Sequence, residues 1–187
     1  MQEISKSQSI LKDVHEAIIL GIGKDLENTT LNSDRIDKKI VHKKIIENVI
    51  ISHPIELDKE KNVYRTKVIV DPTHKFFFDH ELSHLPGMLL IEAVRQFGTA
   101  LSHLFFNAPF DSQFILHEVS SKFIGGADIK YETFIDGIFT DIVMKKGKPR
   151  KLSGTAYIHQ NGQIIGSIAS SWLIIPNKVL THLTKFH

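Results

Sequence analysis

The chain has 187 residues, a length that suits one domain and lets roughly 70% of the unfolded surface be buried. Hydrophobic residues make up 42% and charged residues 24%, near the globular average, which excludes a disordered or fibrous chain. The net charge of +2 excludes a polyanion-coating protein, so no nucleic-acid partner is expected, and the absence of cysteine excludes disulfide scaffolds and thiolate zinc sites.

Residues 1–40 read as an N-terminal helical extension and linker, ahead of a single domain over 41–187. Ile10, Leu11, Val14, Ala17 and Ile18 recur at helical spacing, which predicts an amphipathic helix over about 8–22. The apolar run Ala17–Ile22 is too short to span a bilayer. Its acidic neighbours Glu3, Asp13 and Glu16 do not suit a secretory leader, so a cytoplasmic protein without a membrane span is expected. The polar stretch 28–37 reads as a loop.

From Val41 the period changes. Ile45-Ile46 with Val49-Ile50-Ile51, and then Val63 to Val70, predict two strands with a turn over Asp58 to Asn62, the second ending at Pro72. A polar loop, Asp79 to Leu85, leads to Pro86, which opens a long helix from about Gly87 to Phe106. Four further strands are predicted over 113–124, 131–144, 151–160 and 163–175. Their separators are Gly125-Gly126, the segment around Gly147 and Pro149, and the hairpin pair Asn161-Gly162. Strands, one long helix and a run of strands give an α+β fold, an antiparallel sheet packed on one helix.

At 100° per residue the helix is apolar nearly all round, which marks it as buried. Glu92, Arg95, Gln96, Thr99 and His103 share one stripe about 100° wide. Burying a carboxylate and a guanidinium is costly unless they are paired or serve a site. Two readings follow: a structural ion pair between Glu92 and Arg95, or a stripe that lines a substrate channel. The upstream loop favours the channel, because it can bring His80 or His84 to the start of the stripe, and a histidine with a carboxylate is suited to acid–base chemistry.

The run Phe76-Phe77-Phe78-Asp79-His80-Glu81-Leu82-Ser83-His84-Leu85-Pro86-Gly87-Met88-Leu89-Leu90-Ile91-Glu92-Ala93-Val94-Arg95-Gln96 resembles the signature of the A-factor biosynthesis hotdog family. Val41-His42-Lys43-Lys44 leading to Val49, and Gln113-Phe114-Ile115-Leu116, are similar to it more weakly; the likeness covers about 42–176. It implies a hotdog fold, a curved antiparallel sheet wrapped around one long central helix. It implies an acyltransferase that condenses a β-ketoacyl thioester, carried by acyl carrier protein or coenzyme A, with a glycerone phosphate-like hydroxyl acceptor. The product lies on the way to a butenolide or γ-butyrolactone signal or a related bacterial secondary metabolite. Members related to A-factor synthesis carry two hotdog repeats, whereas this chain has room for one, which implies a homodimer. The resemblance implies no cofactor.

The family's motif glutamate, arginine and glutamine fall on Glu92, Arg95 and Gln96. A low-dielectric channel would raise the pKa of Glu92 and fit it as the base toward the hydroxyl. Arg95 suits a forked contact to phosphate or a keto oxygen, and the helix start at Gly87 and Met88 offers N–H groups to the thioester oxygen, an effect typically worth roughly 3 kcal/mol. The candidate catalytic residues are thus Glu92, Arg95 and His80; the candidate substrate-binding residues are Gln96, His84, Gly87, Met88 and Thr99. Two alternatives stay open. One is a β-hydroxyacyl carrier-protein dehydratase using His80 and Glu92, although the loop from His80 to Pro86 is shorter than that pattern and Arg95 is out of place in it. The other is a non-catalytic acyl-binding subunit.

The eleven histidines lack metal-ligand spacing, so no metal site is expected. His103 reads as a satisfied interior histidine, and His42, His53, His74, His159, His182 and His187 as surface or loop residues. Lys145 to Lys151 holds five positive charges in seven residues: a solvated turn, or a dock for an acidic partner such as acyl carrier protein. Gly125-Gly126 reads as a bend, and Trp172 with Leu173-Ile174-Ile175 as a core strand.

Overall fold

The computed structural model describes residues 31–179; the helix expected over 8–22, together with His182 and His187, lies outside them. Six strands form one antiparallel sheet: β1 Ile55–Asp58, β2 Val63–Lys67, β3 Ser112–Phe123, β4 Phe134–Lys145, β5 Lys148–Gln160 and β6 Gln163–Pro176. Their order in the sheet is β1-β2-β4-β5-β6-β3, and among the described residues one long helix, α1 Gly87–Leu104, packs against its inner face.

The hairpins follow from local chemistry. Asn161 and Gly162 have φ of 48° and 71°, and Lys146 and Gly147 have 53° and 71°, the left-handed pair that a two-residue turn requires between twisted strands. The β4–β5 turn is therefore tighter than expected, and Pro149 lies in β5 opposite Met144, where the register shifts. In β3 a bulge at His117 shifts the pairing with β6 between Leu116 and Glu118. The bulge keeps Phe114, Leu116 and Val119 on the inner face, opposite Trp172 and Ser170.

Pro86 caps α1 in extended geometry, and its carbonyl accepts from Leu89 N and Leu90 N. Leu89, Ala93, Phe97, Ala100 and Leu101 are buried against Ile135, Phe139, Leu152, Ile158, Ile168 and Ile174. Each large side chain so buried contributes about 1.5–3 kcal/mol. A Cβ on Gly137 of β4 would meet the Phe97 ring at 2.7 Å, so that glycine lets helix and sheet close together.

The expected strand over 45–51 is corrected. Ile46–Asn48 is a short 3-10 turn with Ile45 and Ile46 exposed, and the strand that pairs with β2 is Ile55–Asp58. Val49, Ile50 and Ile51 are extended and buried, with a single bridge from Ile51 to Val68, but Ile50 N donates to the Gln96 side chain, so this stretch lies across α1 as a strap. Ile36 joins the same core through Ile36 N donating to Ile51 O. β2 ends at Lys67, before Pro72, because Val68 N turns to Thr133 O and Ile69 N to Ile50 O.

On the opposite face of the sheet Arg65 grips Asp136 by two bonds, Nε to Oδ1 at 2.6 Å and Nη2 to Oδ2 at 2.7 Å, and Asp136 is fully buried. His159 Nε2 lies 3.4 Å from Asp136 Oδ2 and its ring stacks on Phe134. The expectation of a surface His159 fails here, because it sits mid-sheet beside a buried carboxylate.

Candidate functional site

Between one side of α1 and the inner face of β3 and β6 lies a cavity of about 530 Å³. Its long walls are apolar: Met88, Ile91 and Val94 from the helix, Phe114, Leu116 and Val119 from β3, Ile168 and Trp172 from β6, with Phe76 and Phe77 from the loop before α1. Polar groups are few, namely Glu92, Arg95 and Thr99 of α1, Lys43 and Asn48 from the segment leading into the strap, His74, and Ser170. A mostly apolar cavity with a small cluster of charge is the usual form of a small-molecule site.

The stripe on α1 carries the ion pair that the sequence allowed, and three of its residues, Glu92, Arg95 and Thr99, border the cavity. Arg95 holds Glu92 bidentately, Nε to Oε2 at 2.7 Å and Nη2 to Oε1 at 2.8 Å, and the pair borders the cavity. Lys43 Nζ adds a third contact to the carboxylate, at 2.8 Å from Oε1, and Gln96 Nε2 donates to the same oxygen at 2.9 Å. The consequence corrects the expected raised pKa. Burial alone would raise the Glu92 carboxyl, but the bonds and charge of Arg95, with Lys43 and Gln96, outweigh it and hold the group at about 2.

Gln96 is fully buried and does not touch the cavity; it positions. Its Oε1 accepts from Ile50 N at 3.0 Å, and its Nε2 donates to Asn48 O at 2.8 Å as well as to Glu92. One side chain thus fixes the strap and the carboxylate together. Thr99 Oγ1 donates to Arg95 O at 2.9 Å. Further along the stripe, His103 Nδ1 bonds Ala108 O at 2.8 Å, a carbonyl that only accepts, so Nδ1 carries the proton. Its Nε2 lies 2.9 Å from His42 Nε2, which donates when both rings are neutral. His103 is interior as expected, and His42 is the exposed turn residue expected of it, with His103 as its ring partner.

His80 and His84 do not join this cluster. His80 Nδ1 meets Asp79 Oδ1 at 2.6 Å with both side chains largely in solvent, and His84 is exposed at a bridge to Asp128. The loop folds with Leu85 inward, donating N–H to Ala127 O, which leaves both histidines outside the cavity lining. The histidine that does line the cavity is His74. Its Nε2 bonds Asn48 Oδ1 at 3.0 Å, its Nδ1 accepts from Phe76 N at 3.3 Å, and its ring packs on Phe77. Of the helix start, Met88 borders the cavity, whereas Gly87 is outside its lining, and a Cβ added there would lie 3.5 Å from the Phe123 ring.

Lys43, Asn48 and His74 were missed by the sequence reading. Lys43 lies in the segment Val41-His42-Lys43-Lys44 that resembles the family, and a half-buried Glu92 takes more countercharge than Arg95 alone; nothing in the spacing says which lysine supplies it.

Residues 25–176 match the A-factor biosynthesis hotdog domain family. The chain belongs to this family. The match begins upstream of residue 41 and includes the part of the chain that carries Ile36. Solved structures share the fold at low identity. A thioesterase from Haemophilus influenzae is 8% identical, covering 68% of this chain and 79% of its own, with a TM-score of 0.50. A conserved protein from Pseudomonas aeruginosa is 15% identical over 75% of this chain and 100% of its own, at 0.51. A hot-dog-like protein from Thermanaerovibrio acidaminovorans is 6% identical over 65% and 87%, at 0.51. No curated protein matches the chain. These likenesses and the family match make the architecture a hotdog fold, and among the described residues no helix is long and apolar enough to cross a membrane.

Proposed function

We propose that the protein is an acyl-thioester enzyme of the acyltransferase type, joining a β-ketoacyl group to the hydroxyl of a glycerone phosphate-like acceptor. The observation that carries this is the cavity itself: apolar walls for an acyl chain, closed at one side by a carboxylate that two cations share. The family resemblance supplies the substrate classes. The carrier is acyl carrier protein or coenzyme A, and the working unit is a homodimer joined along the exposed edge strand β3.

The charge cluster suits an anionic acceptor. Lys43 and Arg95 together exceed Glu92 by one positive charge, and a phosphate competes with the carboxylate for both cations. As they turn to the phosphate, Glu92 loses the contacts that hold its pKa at about 2, and burial, which acts in the opposite sense, raises it. Acceptor binding thereby makes the base. Glu92 then takes the hydroxyl proton as the oxygen attacks the thioester carbon, the C–S bond breaks, and the proton passes to the departing sulfur. Backbone N–H groups at Gly87 and Met88 steady the developing oxyanion. The dehydratase alternative has less support, since His80 stands in solvent beside Asp79.

The test is mass spectrometry of purified protein with a β-ketoacyl thioester, with and without dihydroxyacetone phosphate. A phosphorylated ester that needs the acceptor and disappears in Arg95→Ala is expected. Loss of water from a 3-hydroxyacyl thioester, with no ester formed, would overturn the reading in favour of a dehydratase. No turnover of either substrate would leave an acyl-binding subunit.

A further inference from the structure

A second, small cavity of about 20 Å³ lies behind the main one, between α1 and strands β4 and β5. Gly98, Gly137, Gly154 and Ala156 are among its lining residues, so little side-chain volume fills that side. Trp172 lines both cavities. Its ring presses on the helix where a Cβ on Gly98 would come within 2.8 Å of Cη2. The Nε1–H donates to Ser102 Oγ at 3.2 Å, and the ring meets Phe139 edge-on at 5.7 Å. The indole is thus held at three points, two on α1 and one on β4, and stands as a fixed partition.

We propose that Trp172 sets the length of acyl chain the protein accepts, by closing the main cavity against the space under Gly98. This rests on the acyl-thioester reading above and adds to it the residue against which the chain tip stops. The polar cluster at Lys43, Glu92 and Arg95 holds the reacting end, so each methylene beyond the partition has nowhere to go. Removing the indole joins the two spaces and lets the chain run under the helix toward Ala156. Each methylene newly buried strengthens binding roughly fourfold.

The experiment is calorimetric binding of straight-chain acyl-coenzyme A thioesters, from butanoyl to tetradecanoyl, to the full chain. For the unchanged protein, affinity should rise with length and then stop rising at one chain length. In Trp172→Ala that limit should move to longer chains by at least two methylenes, roughly a tenfold gain or more for the longer thioesters. In Trp172→Ala with Ala156→Leu, the refilled space should return the limit to its original place. Thermal melting checks folding; if Trp172→Ala is not folded, Trp172→Leu is read instead and should show a smaller shift in the same direction. An unmoved limit in a folded Trp172 variant overturns the inference while leaving acyl binding intact. An unchanged protein that binds none of the thioesters overturns the acyl-thioester reading itself, and the partition with it.

Discussion

Glu92 Oε1 receives Lys43, Arg95 and Gln96 at once, and the charged members of this cluster are expected to fail differently from the amide when removed. Arg95→Ala and Glu92→Gln should each lower ester formation by about a hundredfold or more with the fold retained, read as product per time and melting temperature. Gln96→Ala should instead act on stability, costing about 1–3 kcal/mol in denaturant unfolding, because Ile50 N and Asn48 O lose a buried partner. The histidine pair carries its own pH dependence. Burial first, then the charges of His103 and Arg95, lowers the pKa of His42, and burial lowers that of His103 against the pull of Ala108 O. The unfolded chain therefore binds more protons, and stability present above 6.5 is lost as pH falls below it. His103→Gln should flatten that part of the unfolding profile. At this scale the sequence was readable where periodicity spoke: Glu92, Arg95, Thr99, Gln96 and His103 do share one face of α1. It was unreadable where the partner came from across the fold, as with Lys43 and His74, or where a loop's path decided matters, as with His80 and His84.

Among the elements, α1 and the hairpins answer most directly to local chemistry. The β3 to β6 boundaries fall close to expectation because their separators, Asn161-Gly162 above all, are turn residues in the conformation they favour. The failure at 45–51 has the opposite cause. Those apolar residues suit a strand, yet Ile50 gives its N–H to Gln96, a tertiary bond no local pattern announces. The closeness of α1 to the sheet invites a test at Gly137, where an added methyl meets Phe97 at 2.7 Å. Gly137→Ala should cost about 1–3 kcal/mol of unfolding free energy as the ring is displaced. The β4–β5 tip carries Lys145, Lys146 and Lys148 exposed, with Lys151 tied to Asp141 at 3.1 Å. If it receives an acidic carrier protein, charge reversal at Lys146 and Lys148 should slow association, with the difference shrinking as salt rises.

For the molecule as a whole, the two faces of the sheet respond to different stresses. Burial raises the Asp136 carboxyl, but Arg65 and His159 outweigh it and hold it at about 2 against an ordinary 3.8. Its contribution is complete above that ordinary value and is lost as pH falls through about 2, so acid unfolding in that window should weaken in Asp136→Asn. The same variant should lose about 3 kcal/mol at neutral pH, since the buried Arg65 guanidinium would face a neutral amide in place of the carboxylate that it grips with two bonds. At the sheet's edge, Ile115, Leu116, Val119 and Phe123 are exposed along β3, a long apolar edge that calls for a covering strand. Light scattering should give a dimer, and Val119→Lys should shift it to monomer. The bulge at His117 bears on the wall this edge shares with the cavity. Strand residues alternate faces, so the extra residue acts as a reading-frame correction in space: ahead of it Leu116 faces inward, and after it Val119 does. Deleting the codon for His117 would leave a regular strand with Leu116 facing in, Glu118 out and Val119 in, so β3 can lose this letter without turning a carboxylate into the apolar wall, whereas losing Glu118 as well would turn Val119 out of it.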